Sequence, residues 1–149
     1  MAFRFPLQAV LRYRLSYERR ERLQLQAIIR ELLKARQLWE TAKRERVSAL
    51  EDLRGKLAHG LCGGELQFEL ACDRARVQRI AALKEQVGRL AEARTRQLGL
   101  FRKAQQRRKV LENLRERRFA AYRMDRDRRT QQQLDERFLI LHAGHASSK

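Results

Sequence analysis

Residues 55–64 read Gly-Lys-Leu-Ala-His-Gly-Leu-Cys-Gly-Gly and hold four of the seven glycines of the chain. The pair His59-Gly60 fits the end of a helix, because glycine readily adopts the left-handed backbone that closes one. The pair Gly63-Gly64 fits the turn that follows. No other cluster of glycines occurs in the 149 residues. The sequence therefore predicts one turn, at about residues 58–64, between two long segments.

The segment before the turn carries an apolar stripe with the spacing of a helix. Positions 25, 28, 32, 35, 39, 42, 46, 49 and 53 read Leu, Ile, Leu, Ala, Trp, Ala, Arg, Ala and Leu, so that only Arg46 is polar. Leu7, Leu11 and Leu15 begin the stripe, and Pro6 suits the first turn of a helix, where its missing N–H costs nothing. The pattern predicts helix 1 over about residues 6–57.

The segment after the turn continues in the same way. Its apolar residues follow one another mostly at steps of three or four, with polar gaps at Arg94 and Arg108. They are Val77, Ile80, Leu83, Val87, Leu90, Leu98, Phe101, Ala104, Leu111 and Leu114. Gly88 and Gly99 each cost a helix about 1 kcal/mol without ending it. The pattern predicts helix 2 over about residues 65–140, followed by a frayed polar tail at 141–149.

Both stripes are narrow, as in the seam of a coiled coil, and a short glycine-rich connection folds two long helices back on each other. The sequence therefore predicts an all-α fold: an elongated antiparallel two-helix coiled-coil hairpin that forms a single domain over residues 1–149. In such a hairpin, residue i faces about residue 122 − i. A three- or four-helix bundle with a kink near Arg94 or Gly99 stays open as the alternative fold.

Acidic residues stand four positions before basic residues at six places on the predicted solvated faces. This order stabilises exposed helices by roughly 0.3 kcal/mol per pair. The pairs are Glu18–Arg22, Glu40–Arg44, Asp52–Lys56, Glu85–Arg89, Glu92–Arg96 and Asp125–Arg129. They support helices that are long and mostly exposed to solvent.

The chain is strongly basic, with 35 Lys and Arg against 18 Asp and Glu and a net charge of +17. Residues 1–30 carry seven basic and two acidic residues, and residues 101–130 carry twelve basic and four acidic ones. The predicted hairpin brings these two segments together at the end away from the turn. Clustered arginines bind the phosphates of nucleic acid or an acidic protein surface, so both classes of partner stay open.

Motifs for catalysis, cofactors and metals are missing from the sequence. Gly55 and Gly60 have the spacing of a phosphate-binding loop, but Leu61-Cys62 follows where Lys-Ser/Thr is required. We therefore expect no enzyme activity and no cofactor. We also expect a cytoplasmic protein, in which the thiols of Cys62 and Cys72 are free. Two further groups lack the ligands of a metal site, namely His142 with His145, and His59 with Cys62 and Cys72.

The opening residues 3–14, Phe-Arg-Phe-Pro-Leu-Gln-Ala-Val-Leu-Arg-Tyr-Arg, combine an aromatic pair, a Leu-x-x-x-Leu step and a basic residue. Glu18 and Arg22 follow them. This pattern resembles the N-terminal signature of the FliJ family of flagellar export proteins. Residues 133–136, Gln-Leu-Asp-Glu, are similar to the C-terminal segment of that family. The resemblance covers essentially the whole chain.

The resemblance implies a cytosolic protein of flagellar type III protein export that acts at the cytoplasmic face of the flagellar basal body. Its fold would be similar to the central stalk of rotary ATPases. It would enter the hexameric ring of the export ATPase, promote the assembly and activity of that ring, link it to the membrane export gate and handle export chaperones. Membrane insertion and specific binding of nucleic acid are not part of this role.

The resemblance also suggests which residues contact these partners. We expect the export ATPase at the basic end and at the late segment, through Phe3, Phe5, Leu7, Leu11, Arg12, Arg14, Arg107, Arg108, Arg117, Arg118, Leu134, Asp135 and Glu136. The half near the turn would face the export gate, through Leu38, Trp39, Ala42, Glu45, Ala49, Cys72, Arg76 and Arg79. Trp39 lies on the apolar stripe, so a seam position facing about residue 83 competes with a partner contact for its role.

Two other functions stay open at this point. The stalk of a virulence type III secretion system has a similar pattern, and the N-terminal aromatic motif separates it from the flagellar proteins. A basic coiled-coil protein that binds nucleic acid would need aromatic side chains placed for stacking. In the basic region the sequence has Phe101, Phe119 and Tyr122.

Overall fold

The computed structural model describes residues 3–146 of the chain, which form two α-helices and one short connection. α1 runs over Gln8–His59 and α2 over Gly63–Ala146. The helices pack against each other, and no strand occurs within the described range. The predicted all-α helical hairpin is confirmed. α2 passes Arg94 and Gly99 without interruption, so the alternative of a three- or four-helix bundle is wrong.

α1 begins two residues after the predicted start, because Pro6 lies in a turn that leads into the helix. The Gln8 N–H donates to the Phe5 carbonyl at 3.1 Å, and the Leu11 N–H donates to the Leu7 carbonyl at 2.9 Å. Proline suits this turn, since its φ is fixed near the value that such turns require. The segment before Gln8 is thus connected to the helix by backbone hydrogen bonds.

Gly60 ends α1 at His59, two residues beyond the predicted end. Its φ is +94°, a backbone conformation that residues with a side chain rarely adopt. The Gly60 N–H donates to the Leu57 carbonyl at 3.3 Å and closes the last turn. Gly55 lies inside the helix and does not end it. The connection therefore occupies residues 60–62 and is shorter than the predicted turn at 58–64.

Cys62 and Glu65 define the start of α2. The Cys62 N–H donates to Glu65 Oε2 at 3.2 Å, and the Leu66 N–H donates to the Cys62 carbonyl at 3.1 Å. A glutamate three residues after the capping position satisfies a backbone N–H that a helix start leaves without a partner. This cap explains why α2 begins at Gly63, two residues before the predicted start.

α2 also extends past its predicted end at residue 140 and includes residues 141–146 of the segment expected to be a frayed tail. Residues 147–149 of that tail lie outside the described residues. Every side chain from 123 to 140 is exposed. Residues 123–146 are termed the distal part of α2 below. Over the described residues, neither helix has a stretch apolar enough to cross a lipid bilayer.

Contacts between Cα atoms divide the chain into two compact units, and each unit contains part of both helices. Unit 1 consists of Met1–Glu18 and Ala104–Lys149, and unit 2 of Arg19–Lys103. The single domain over residues 1–149 stays a prediction.

Unit 2 packs its two helical segments along a narrow seam in antiparallel order. Arg46 contacts Asp73, and Gln97 contacts Glu21. Both pairs lie within about one helical turn of the predicted register. The seam is apolar and partly built from small side chains, which let the helices approach closely. Its buried apolar residues are Leu25, Leu32, Ala35 and Ala42.

Unit 1 has the same antiparallel order. Phe5 and Leu11 of the first segment and Ala104 of α2 are buried. Glu18 pairs with Arg108, which again lies within about one helical turn of the predicted register. The core of unit 1 is small, so aromatic and charged side chains carry much of its packing.

Candidate partner-binding surfaces

The residues before α1 are fixed against α2 by aromatic contacts within unit 1. The Phe3 ring lies 5.2 Å from the Phe119 ring, edge to face, and 5.6 Å from the Tyr122 ring. Phe5 is 6% exposed, and the Arg118 guanidinium lies 6.0 Å from the centre of its ring. Aromatic pairs and cation–π contacts of this kind each stabilise a packed segment by about 1 kcal/mol. Phe3 and Phe5 therefore have defined positions on α2.

A cleft of about 690 Å³ opens beside this segment. It is termed the basic cleft and is lined by Phe3, Arg4, Phe5, Pro6, Gln8, Ala9, Arg12 and Arg115. Arg4, Arg12 and Arg115 are exposed and supply three positive charges, whereas no carboxylate lines the cleft. Among the described residues, none of these three arginines forms an ion pair. The cleft is therefore positively charged without compensation from its own walls.

A smaller cleft of about 280 Å³ shares Phe3 and Arg115 with the basic cleft. It is lined in addition by Glu112, Glu116 and Phe119. Two carboxylates thus accompany one arginine here, against three arginines and no carboxylate in the basic cleft. The two neighbouring clefts differ in the sign of their charge.

Arg108 belongs to the interior of unit 1 rather than to its charged surface. Its Nε donates to Glu18 Oε2 and its Nη1 donates to Glu112 Oε2. The side chain of Arg108 is 17% exposed and that of Glu18 only 6%. The hydrogen bond to Glu18, and to a smaller extent the one to Glu112, raises the pKa of Arg108 above its ordinary value. Arg108 thus fills the polar gap in the apolar stripe and pairs the two helices.

The other residues predicted at the basic end differ in burial. Leu11 is buried, whereas Leu7 and Arg14 are half-buried, and the Arg14 guanidinium lies 5.8 Å from the ring of Tyr13. The exposed arginines of this set are Arg12, Arg107, Arg117 and Arg118. These four are the basic side chains of the predicted set that a partner can reach.

Leu134, Asp135 and Glu136 lie on the distal part of α2 and are exposed. Leu134 is 55% exposed, and Asp135 accepts a hydrogen bond from Gln131 Nε2 at 2.9 Å. The structure therefore places Arg118 over Phe5 and leaves residues 134–136 on an exposed helix surface.

In unit 2, the residues predicted from the half near the turn are only partly accessible. Leu38 is 52% exposed, and Arg79 Nη1 lies 3.9 Å from Glu45 Oε2 on an exposed surface. Ala42 is 5% exposed and lies in the seam, where a partner does not reach it. The half-buried members of this set are Ala49, Cys72 and Arg76. Leu38, Glu45 and Arg79 are the accessible residues.

Trp39 is half-buried. Its Nε1 is buried and has no hydrogen-bond partner among the described residues. The Lys43 Nζ lies 4.0 Å from the centre of the indole ring and also pairs with Glu40 at 2.7 Å. The burial of the indole nitrogen agrees with the seam position considered for Trp39, and the lysine covers the ring from outside.

Besides the longer Arg79–Glu45 pair, two hydrogen-bonded ion pairs connect the helices among the described residues of unit 2. Arg46 donates to both carboxylate oxygens of Asp73, at 2.8 and 3.0 Å, and Lys56 Nζ donates to Glu69 Oε1 at 2.6 Å. These hydrogen bonds lower the pKa of Asp73 and of Glu69, and they raise the pKa of Arg46 and of Lys56. The polar residue at position 46 of the apolar stripe therefore pairs across the seam.

Gln97 and Glu21 form a buried polar contact that the sequence analysis missed. Gln97 is 8% exposed and Glu21 5%. The Gln97 Nε2 donates to the Glu21 carboxylate and lies 3.2 Å from the Glu21 backbone carbonyl. A buried amide and carboxylate satisfy each other here. The signal in the sequence was weak, because a single glutamine among many polar residues marks no particular face.

A third cleft, of about 640 Å³, lies beside the turn and was also missed. Phe68 is 69% exposed there, next to Leu61 and the pair formed by Lys56 and Glu69. Phe68 stands off the apolar stripe of α2, and this off-stripe position was the available signal for an exposed aromatic side chain. The cleft combines apolar walls with charges of both signs.

Cys62 is exposed, Cys72 is half-buried, and both are free thiols. Among the described residues, no three His, Cys, Asp or Glu side chains are placed to hold a metal ion. The side chains of His142 and His145 lie outside the part of the chain whose side chains are described.

Comparison with known proteins gives one match. The family model described as "Flagellar FliJ protein" matches residues 3–147, which is nearly the whole chain. No individual curated protein and no solved structure matches the chain.

Proposed function

Because the chain belongs to the Flagellar FliJ protein family, we propose that it is a non-enzymatic stalk and adaptor of the flagellar type III protein export apparatus. In this role it enters the ring of the export ATPase, promotes the assembly and activity of the ring, and links it to the membrane export gate and to export chaperones. The observation that carries the proposal is the family match over residues 3–147.

The helical hairpin supports this proposal physically. A stalk has to present long side-chain surfaces while keeping its own backbone hydrogen bonds satisfied, and two packed helices do so. The exposed arginines of unit 1 favour attraction into a ring lumen of opposite charge, since complementary charge increases association rates. Arg107 and Arg117 are exposed and have no ion-pair partner among the described residues.

The first experiment measures ATP hydrolysis by the cognate flagellar export ATPase with and without this protein. We expect stimulation near physiological salt at less than one protein per ATPase chain. The variant Arg107→Glu with Arg117→Glu should lose the stimulation and keep its helicity. Arg108 is left unchanged, because its reversal would place a second carboxylate against the buried Glu18.

The control variant is Arg74→Glu with Arg94→Glu. Both residues are exposed arginines of unit 2, so the change of net charge is the same. An equal loss of stimulation in the two variants would show that net charge, and not the surface of unit 1, determines the effect. Absence of stimulation by the unchanged protein would remove the ATPase from the proposal.

For the export gate, we propose the surface around Leu38, Glu45 and Arg79. Leu38→Asp should reduce binding to the cytosolic part of the gate protein, measured by titration calorimetry. Leu33→Asp is the matched control, because Leu33 is 53% exposed and Leu38 52%. Equal binding by the two variants would contradict this assignment.

A further inference from the structure

We propose that the basic cleft binds an acidic peptide segment of a partner protein. A carboxylate of the segment is held between Arg12 and Arg115, and an adjacent apolar side chain packs against Phe3. The inference deepens the proposed function, since it states the chemistry of the partner at the surface assigned to the export ATPase. It does not depend on which partner supplies the segment.

The charge of the cleft selects the ligand. Arg4, Arg12 and Arg115 line it, no carboxylate does, and no ion pair satisfies these arginines among the described residues. Guanidinium groups bind carboxylates through two parallel hydrogen bonds, which makes this pairing both strong and directional. An acidic ligand would therefore supply the negative charge that the walls lack.

The neighbouring smaller cleft limits where such a ligand lies. Glu112 and Glu116 line that cleft, and Glu112 is already paired with Arg108. A carboxylate placed there would be repelled by Glu116, whereas the basic cleft offers it only arginines. Phe3 and Arg115 line both clefts, so the acidic segment is directed to one side of Phe3.

The aromatic side of the basic cleft is held in place before any ligand binds. The Phe3 ring packs on Phe119 and Tyr122, and the Phe5 side chain is buried beneath Arg118. A cleft of about 690 Å³ is within the usual range for sites that enclose a few side chains. Because the side chains of Phe3 and Phe5 are already ordered, binding of the ligand does not have to overcome the entropy of ordering them.

The same contacts favour a peptide over a nucleic acid. Single-stranded nucleic acids bind by stacking bases on free aromatic faces along a basic groove. Phe3 is half-buried against two other rings and Phe5 is buried, so the cleft offers one apolar contact at Phe3 and no row of open aromatic faces for successive bases. A single concave site with three arginines suits a short acidic segment better than a continuous phosphate backbone.

The experiment measures fluorescence anisotropy of a short labelled peptide that alternates glutamate with leucine, titrated with the full chain. The variant Arg12→Glu with Arg115→Glu should weaken binding by about tenfold or more, as expected when close charge pairs become repulsive. The control variant Arg74→Glu with Arg94→Glu has the same net charge and should bind as the unchanged protein does. Circular dichroism verifies that both variants keep their helices.

A single-stranded oligonucleotide of equal charge is the second probe. Weaker binding of the oligonucleotide, with no difference between the two variants, supports a peptide site. Tighter binding of the oligonucleotide, an equal loss of peptide binding in both variants, or no peptide binding at all would overturn the inference. The ATPase is absent from this titration. A failed titration together with normal ATPase stimulation therefore rejects the cleft and leaves the proposed function standing.

Discussion

At the scale of single residues, Arg46 shows how a polar side chain is accommodated in an apolar stripe. The sequence places Arg46 on the stripe, and the structure pairs it with both oxygens of Asp73. Asp73 could not be predicted from the sequence as the partner of Arg46, because the predicted register is accurate only to about one helical turn. A hydrogen bond requires its atoms to lie about 3 Å apart, which is finer than that register.

The same limit explains the ion pairs of Lys56 and Glu40. Spacing within the helix predicted Asp52 for Lys56 and Arg44 for Glu40. The structure pairs Lys56 with Glu69 of the other helix, and Glu40 with Lys43. The predicted pairs Glu85–Arg89 and Glu92–Arg96 are present, at 3.9 and 3.8 Å. Residues across the seam compete with residues on the same helix as ion-pair partners. Spacing along the sequence predicts only the partners on the same helix.

Asp73 gives a prediction about pH. The Arg46 hydrogen bond lowers the pKa of Asp73 from its ordinary value of 3.8. The Asp73 carboxylate therefore takes up a proton more readily in the unfolded chain than in the folded chain. The pair therefore stabilises the fold fully above about pH 4, and its contribution is lost as the pH falls further. The melting temperature of Asp73→Asn should lie below that of the unchanged protein at pH 7, and the difference should shrink below about pH 4.

Circular dichroism melts at several pH values test this expectation. Glu51→Gln is the control, since Glu51 is exposed in the same unit and should change the melting temperature little at any pH. A difference for Asp73→Asn that stays constant down to pH 2 would contradict the assigned pairing.

At the scale of elements, both ends of α1 and the start of α2 were predictable to two residues, whereas α2 continues six residues beyond its predicted end at 140. Gly60 was correctly placed at the end of α1, because glycine is suited to a left-handed backbone. The start of α2 was placed too late because Gly63 and Gly64 were assigned to the turn. The contact between Glu65 and the Cys62 N–H instead lets both glycines join the helix.

The glycines inside α2 give a prediction about stability. A Cβ added at Gly88 or Gly99 meets nothing within 4 Å, and both residues are helical. Gly88→Ala and Gly99→Ala should each stabilise the protein by about 0.5–1 kcal/mol, because alanine loses less backbone entropy in a helix. Gly60→Ala should instead destabilise it by about 1 kcal/mol or more, since the φ of Gly60 is +94°.

Urea unfolding followed by circular dichroism measures all three changes. A stabilised Gly60→Ala would show that the turn adopts another backbone in solution. A destabilised Gly88→Ala or Gly99→Ala would show that the position is packed against a surface that the hairpin alone does not provide.

At the scale of the whole molecule, the fold followed from the single glycine cluster in a chain of 149 residues. Two stripes of helical spacing on either side of one turn leave few other arrangements. The basic cleft and its smaller neighbour could not be predicted, because they depend on how residues 3–7 lie against α2 before α1 begins. Counts of charged residues located the basic region. The sign of the charge in each of these two clefts depends on a few residues, such as Arg12 and Glu116.

The distal part of α2 gives a prediction for the molecule as a whole. Side chains 123–140 are exposed, so removing residues 124–149 should leave the melting midpoint of the hairpin unchanged while lowering the helical signal. The shortened protein should also lose ATPase stimulation, because Leu134, Asp135 and Glu136 are proposed contacts of the ATPase. A lower midpoint in circular dichroism would show that the removed part packs on the hairpin, and full stimulation would exclude residues 134–136 as contacts.

The contact between Phe3 and Phe119 also has a consequence for synthesis on the ribosome. The pairs near the turn, such as Lys56 with Glu69, join residues that are made in close succession. Phe3, by contrast, is made long before its partners Phe119 and Tyr122, which lie on the other helix. A nascent chain that stops before residue 119 therefore lacks the two rings that hold Phe3 at the basic cleft, even when the helices near the turn are already paired. The cleft therefore takes its final shape only after the part of α2 that carries Phe119 and Tyr122 has been made.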